Sequence, residues 1–262
     1  MKLEVIDKGS ISVAHPAPLL FIHGSWHAAW CWDENFLDFF ADKGYRAVAV
    51  SLRNHGGSGR TKPRRCSVAD WVQDVASVAR RLPVEPVVIG HSMGGFIVQK
   101  YLETHNAPAG VLLATMPVSG ASRALLRILG RHPARSARAL IRGKTLRAVN
   151  TTTAARENFY SAGTPDSDVA RYTPLLDEEY VGRQALDLTV LSLPRPKRVT
   201  TPLLVLGAER DACFSQNEMR KTARAYGTDA EFFTGMGHNM MLEPGWRAVA
   251  ERIDGWLSAG GL

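Results

Sequence analysis

Residues 86–95 read Pro86-Val87-Val88-Ile89-Gly90-His91-Ser92-Met93-Gly94-Gly95, an apolar run that hands the chain directly to a serine spaced between glycines. The run suits a buried strand. The stretch that follows suits a helix, because Phe96, Ile97, Tyr101 and Leu102 recur at helical spacing and Asn106 with Pro108 supplies a stop. Strand, sharp turn and helix in that order form a nucleophile elbow, where the serine tops a strained turn and the flanking glycines let strand and helix approach. The motif alone has little weight: with 23 Gly among 262 residues, random order yields Gly-x-Ser-x-Gly in roughly one such chain in eight. The flanking elements single out Ser92 as the candidate nucleophile.

Working outward, compact apolar runs recur at Leu19–Ile22, Ala47–Val50, Pro86–Ile89, Gly110–Leu113, Leu203–Leu206 and Glu231–Phe233. Amphipathic helical stretches lie between and after them, near 30–41, 68–82, 93–105, 215–226 and 246–258. This alternation predicts an α/β fold with a mostly parallel sheet and helices on both faces. Two short alternating runs, Leu3–Ile6 and Ile11–Val13, flank Lys8-Gly9-Ser10 and predict an opening hairpin, for a total of eight strands.

Residues 118–198 break the alternation. They hold helical pieces at Ser122–Arg131 and Ala134–Arg142 around His132-Pro133, loop-like stretches at Ser161–Asp168 and Pro194–Pro196, and no convincing strand. The segment reads as a helical lid inserted after the sixth strand, leaving 1–117 and 199–262 as the core.

An apolar content of 45% supports a sizeable core, and charges interrupt the N-terminal apolar stretch, so neither a signal peptide nor a membrane span is expected. Cys31, Cys66 and Cys213 are odd in number and widely spread, which argues against a disulfide framework or zinc site and for a cytoplasmic protein. The net charge of +7 is concentrated: residues 118–198 hold 14 basic and 7 acidic side chains, and the rest of the chain balances. Within that stretch Arg123, Arg127 and Arg131 share one helical face opposite Leu125, Leu126 and Leu129. The plain reading is a solvated face; the sharper one is a weak attraction of the lid to anionic lipid or to an acidic substrate. Nucleic acid is not an expected partner, since the basic stretch has almost no interleaved aromatic residue.

A serine hydroxyl needs a base within hydrogen-bond reach and a group that orients the base. His238, in Gly235-Met236-Gly237-His238-Asn239 between the last strand and last helix, is the only histidine after any acid that follows the lid. The acid should leave the strand end at Gly207-Ala208-Glu209-Arg210-Asp211, where Glu209 and Asp211 both qualify and Asp211 is preferred because the turn must first clear the strand. Backbone donors for an oxyanion are expected at the amide of Met93 and, in His23-Gly24-Ser25-Trp26, at that of Ser25, with Trp26 as the fallback. Trp26, Trp30, Met116, Phe214 and Met240 are candidates for a substrate pocket, with core packing as their alternative role. His23 and His91 read as loop supports, Cys213 as a buried thiol, and no metal or cofactor is implied.

Together the stretches His23–Trp26, Leu52–Ser58, Gly90–Gly95, Gly207–Asp211 and Gly237–His238 resemble an α/β-hydrolase of the lid-bearing esterase, lysophospholipase-like type, over nearly the whole chain. The resemblance implies Ser92 as nucleophile, His238 as base and acid, Asp211 as orienter, and Ser25 and Met93 as oxyanion donors. It departs at Ser51, where relatives often carry Asp. The implied activity is hydrolysis of a small to medium carboxylic ester through an acyl-enzyme. A C–C bond hydrolase, a lactonase, or a ligand-sensing binding protein that keeps the triad with little turnover are the alternatives.

Overall fold

Five apolar runs become strands buried along their whole length: β2 (Leu19–Ile22), β3 (Ala47–Val50), β4 (Val87–His91), β5 (Gly110–Leu113) and β6 (Leu203–Ala208). Uninterrupted burial is what a parallel strand covered on both faces requires. The edge strands β1 (Val5–Lys8) and β7 (Ala230–Phe233) are half-exposed. The order is β1-β3-β2-β4-β5-β6-β7, with β1 antiparallel to β3 and every other pairing parallel. The computed structural model describes residues 1–262, apart from the side chains of Leu129, Arg135 and Leu140, so the expected place of Leu129 lies outside the described residues.

The sheet has seven strands rather than the expected eight. Ile11 and Val13 alternate with polar neighbours as a strand would, but both are exposed, and Ser12 N–H turns back to the His15 carbonyl at 3.1 Å. With no apolar surface to cover, the second arm of the hairpin has nothing to hold it to the sheet.

Helices α1 (Trp30–Asp33), α2 (Phe36–Asp42), α3 (Val68–Ala79) and α4 (Met93–Tyr101) follow β2, β3 and β4. The stretch expected as one helix over 30–41 is broken at Glu34-Asn35. Ser67 closes a capping box with Asp70 at the start of α3, and Arg53 binds both Asp70 and Asp74 of that helix, fixing the turn after β3. Between β5 and β6 come α5 (Ser122–Arg131), α6 (Pro133–Arg142), α7 (Thr152–Phe159), α8 (Asp166–Tyr172) and α9 (Arg183–Leu186), which runs on into a π turn at Asp187–Leu191. α8 begins inside the stretch expected to be loop. α10 (Gln216–Ala225) and α11 (Trp246–Ala259) complete the chain. No described helix is long and apolar enough to cross a membrane.

At Ser51, where the expected pattern departs from its relatives, a carboxylate arrives from elsewhere. Glu4, just before β1, accepts hydrogen bonds from the Ser51 hydroxyl and from Gly57 N–H at 3.0 Å, and Ser58 Oγ donates to the Ser51 carbonyl at 2.5 Å. The N-terminal strand thus completes the Leu52–Ser58 turn.

Strand order places the functional loops. β2 lies between β3 and β4, so the connections leaving β2 and β4 diverge to opposite sides of the sheet, and the crevice between their carboxyl ends is where open α/β sheets bind ligands. Register pairs Ile22 with Gly90 across this crevice.

The approach is close enough to exclude side chains. A Cβ on Gly94 would stand 2.1 Å from the Ile22 carbonyl oxygen, and one on Gly90 2.3 Å from the Gly94 carbonyl oxygen. Because backbone atoms cannot swing aside as a side chain can, Gly94→Ala is expected to cost about 1–3 kcal/mol or more. Urea unfolding measures it, and an unchanged midpoint would contradict this reading of the junction.

Candidate active site

Between the last residue of β4 and the first of α4 only Ser92 remains to reverse the chain, and it does so at φ 53°, ψ −118°. A non-glycine residue there carries strain of order 1–3 kcal/mol. Surrounding hydrogen bonds hold it: Ser92 N–H to the Leu113 carbonyl at 3.1 Å, and the amides of Met116 and Phe96 to the Ser92 carbonyl at 2.9 and 3.2 Å. The serine is left at the edge of a cavity with 8% of its surface exposed.

His238 lies on the same cavity. Its Nδ1–H donates to Asp211 Oδ2 at 2.9 Å, which leaves Nε2 with a free lone pair, the tautomer a general base needs. The other Asp211 oxygen accepts from the amides of Cys213 at 2.7 Å and Phe214 at 3.0 Å. Glu209, the rival acid, instead accepts from Gly235 N–H on the protein surface. Asp211 thus holds His238, and His238 shares its cavity with Ser92. Among the described residues the Ser92 hydroxyl has no hydrogen-bond partner, and such contacts commonly tighten only with substrate in place.

The amides expected to serve as oxyanion donors have no partner among the described residues. Met93 opens α4 and is fully buried, so its N–H lacks an intrahelical acceptor, and among the described residues no other group accepts from it. The amides of Ser25 and Trp26 are equally unengaged, and both residues line the cavity. A buried amide without a partner, as at Met93, is rare, and the half-buried amides of Ser25 and Trp26 beside the cavity are open to a ligand.

Three neutral histidines brace these loops. His91 Nε2 donates to the His238 carbonyl at 3.0 Å, and His23 bridges the Gly24 carbonyl and Leu52 N–H. His27 donates through Nδ1 to the Ser25 carbonyl at 2.8 Å and accepts from Asn239 at 3.0 Å, tying the loop after β2 to the residue beside His238. Burial pushes all three below the ordinary histidine range, His27 to about 4. His55 differs. Burial would lower it too, but the Glu179 carboxylate at 2.9 Å outweighs burial and raises it.

The cavity, of about 190 Å³, is apolar on nearly all sides. Trp26, Met116 and Phe214 line it from the core; Ala124, Ile128, Ala148, Phe159 and Leu188 line it from the segment between β5 and β6. Trp30 and Met240 do not. Trp30 is stacked between His27 and Tyr172, and Met240 is wholly buried in the core, so these two pocket assignments give way to core packing. Glu179 and Gln184 are polar members of the wall that no sequence signal marked. A second departure concerns the arginine face: Arg127 and Arg131 turn inward and bond to Cys213 and Ala212 carbonyls, leaving Arg123 exposed. Asp211, Cys213 and His238 bring ligand-type atoms within 4.8 Å of one another. The oxygens of Asp211 are already occupied by two amides and the imidazole, an arrangement that satisfies the carboxylate without an ion.

An open, mostly parallel sheet with a serine at this strained turn defines an α/β-hydrolase, and the chain belongs to the Alpha/beta hydrolase family, whose profile matches residues 19–252. Among curated relatives it is 32% identical over 111 residues to a non-heme chloroperoxidase of Burkholderia pyrrocinia, covering 42% of this chain and 39% of that protein. Among solved structures it superposes on a thermophilic esterase from Thermogutta terrifontis with a TM-score of 0.75, at 20% identity, over 99% of this chain and 94% of that one. A monoacylglycerol lipase of Paleococcus ferrophilus gives a TM-score of 0.72 at 20% identity, covering 99% and 100% of the two chains. At such identities the structural likenesses establish the fold.

The histidine network sets a pH dependence. A histidine held below its unfolded value is neutral in the fold but charged in the unfolded chain, so stability falls as pH drops from about 6.5 toward the folded value. His55 acts oppositely, adding stability below pH ~6.5 that is lost as pH rises through its raised value. Three against one, the melting temperature should fall between pH ~6.5 and ~4. His27→Gln, which keeps a donor and an acceptor, should flatten that fall by on the order of 3 kcal/mol; thermal melts of the two proteins across the range check it.

Proposed function

We propose that the protein is a serine hydrolase that cleaves a carboxylic ester of small to medium size through an acyl-enzyme. The observation that carries this reading is His238, hydrogen-bonded to Asp211, on one apolar cavity with a strained serine and the unengaged amides of Ser25 and Trp26. Ser92 attacks the ester carbonyl while His238 Nε2 takes its proton, and Asp211 stabilises the resulting imidazolium. The oxyanion is received by the amides of Met93 and Ser25. His238 then protonates the leaving alcohol, and water repeats the sequence to release the acid.

In this reading residues 118–198 are the lid, and the cavity they close sets the substrate. An apolar cavity of about 150 Å³ holds benzene, so one of about 190 Å³ suits an acyl or alcohol group of roughly six to eight carbons. Any weak contact of the lid with anionic lipid would draw on exposed cations such as Arg123, Arg138, Arg142, Lys144 and Arg147.

Turnover of a series of p-nitrophenyl esters is expected to peak at short to medium acyl chains and to decline for long ones. Ser92→Ala should lose reaction with a fluorophosphonate probe and at least ~10,000-fold of kcat. Probe labelling without multiple turnover on any ester would instead identify a triad-bearing ligand sensor. Turnover of lactones or of a C–C bond in place of open-chain esters would move the activity to those chemistries.

A further inference from the structure

Two of the three arginines expected on the solvated face of α5, Arg127 and Arg131, are instead directed at the turn that carries Asp211. Arg131 Nη2 donates to the Ala212 carbonyl at 2.6 Å and Arg127 Nε to the Cys213 carbonyl at 3.0 Å. The same two peptide units end in the amides of Cys213 and Phe214, which hold Asp211 Oδ1. Each planar peptide is therefore gripped at both ends, by a guanidinium on its oxygen and by the carboxylate on its N–H. Because a peptide unit turns as a rigid plate, fixing the oxygen fixes the direction in which the N–H points.

Both guanidiniums are anchored at their other end as well. Arg127 Nη2 meets Glu218 at 2.5 Å, a buried carboxylate that caps α10 through Ser215. Arg131 Nη1 meets Asn158 Oδ1 of α7 at 2.5 Å, while Cys213 Sγ donates to the Asn158 carbonyl at 3.4 Å.

We infer that Arg127 and Arg131 are positioning residues, which act through the two peptides of the 211–214 turn to keep Asp211 aimed at His238 and so link docking of α5 to assembly of the triad. The inference rests on the reading of Asp211 as the orienting acid. If α5 swings away, the turn is free to rotate, the Nδ1–H bond weakens, and His238 becomes a poorer base.

The test compares Arg127→Met and Arg131→Met, which keep the aliphatic stem, with wild type in ester hydrolysis over a pH range, with thermal melts alongside. Each variant is expected to lose on the order of 10-fold in kcat with KM little changed. The acidic limb of kcat/KM should move to lower pH, because an imidazole less firmly held by a carboxylate binds its proton less tightly. Arg127→Lys and Arg131→Lys, which keep the charge but cannot span both acceptors, should fall between, and they carry the comparison if a methionine variant does not fold. A lowered melting temperature with unmoved kcat and an unmoved limb would overturn the inference, leaving the arginines as structural ties alone. Asp211→Asn separates the two readings. If it abolishes turnover while the arginine variants behave as wild type, only the inference falls; if it leaves turnover intact, the assignment of the acid falls first.

Discussion

Everything in this site depends on how closely the backbone of α4 approaches the ends of β2 and β4. Gly90, Gly94 and Gly95 have no room for a Cβ, and the space denied to them lets the helix begin immediately after the strand. Ser92 then has no conformation available but a left-handed one, which the amides of Met116 and Phe96 and the carbonyl of Leu113 enforce. The strain at one residue is held by burial of the whole β4–α4 junction, and the side chain it presents is fixed before any substrate arrives.

Around that junction the site is organised by hydrogen bonds to backbone more than by contacts between reacting groups. His91 holds the His238 carbonyl, His27 holds that of Ser25, and Asn239 joins the two loops. Such an arrangement costs burial of several polar rings, which is affordable only because each is neutral and satisfied at least once. One nitrogen of His91, Nδ1, has no partner in the described structure.

The core strands and the placement of Ser92, Asp211 and His238 at strand ends and loops were legible in the sequence, because each is a local pattern: an apolar run, a glycine-spaced serine, a histidine in a glycine-rich loop, an acid just past a strand end. Ile11–Val13 shows where that logic stops, since alternation without a surface to cover does not make a strand. Trp30 and Met240 sit within a few residues of functional groups, yet side-chain direction sends them into the core. Arg127 and Arg131 were the least legible. Their i, i+4 spacing with apolar residues opposite describes a helix face but not what the face meets, and their partners lie about 81–86 positions away. Glu179 likewise enters the cavity wall from a stretch with no periodicity to flag it.

Glu4 has a consequence for handling the protein. It belongs to an edge segment of the kind that trimming or fusion usually treats as expendable, yet its carboxylate serves Ser51 and Gly57 and its main chain serves Ser51 and Ser58. That turn in turn presents Leu52 N–H to His23 and places His55 against Glu179. Loss of Glu4 would therefore propagate through two imidazoles to the wall of the cavity, where Glu179 stands.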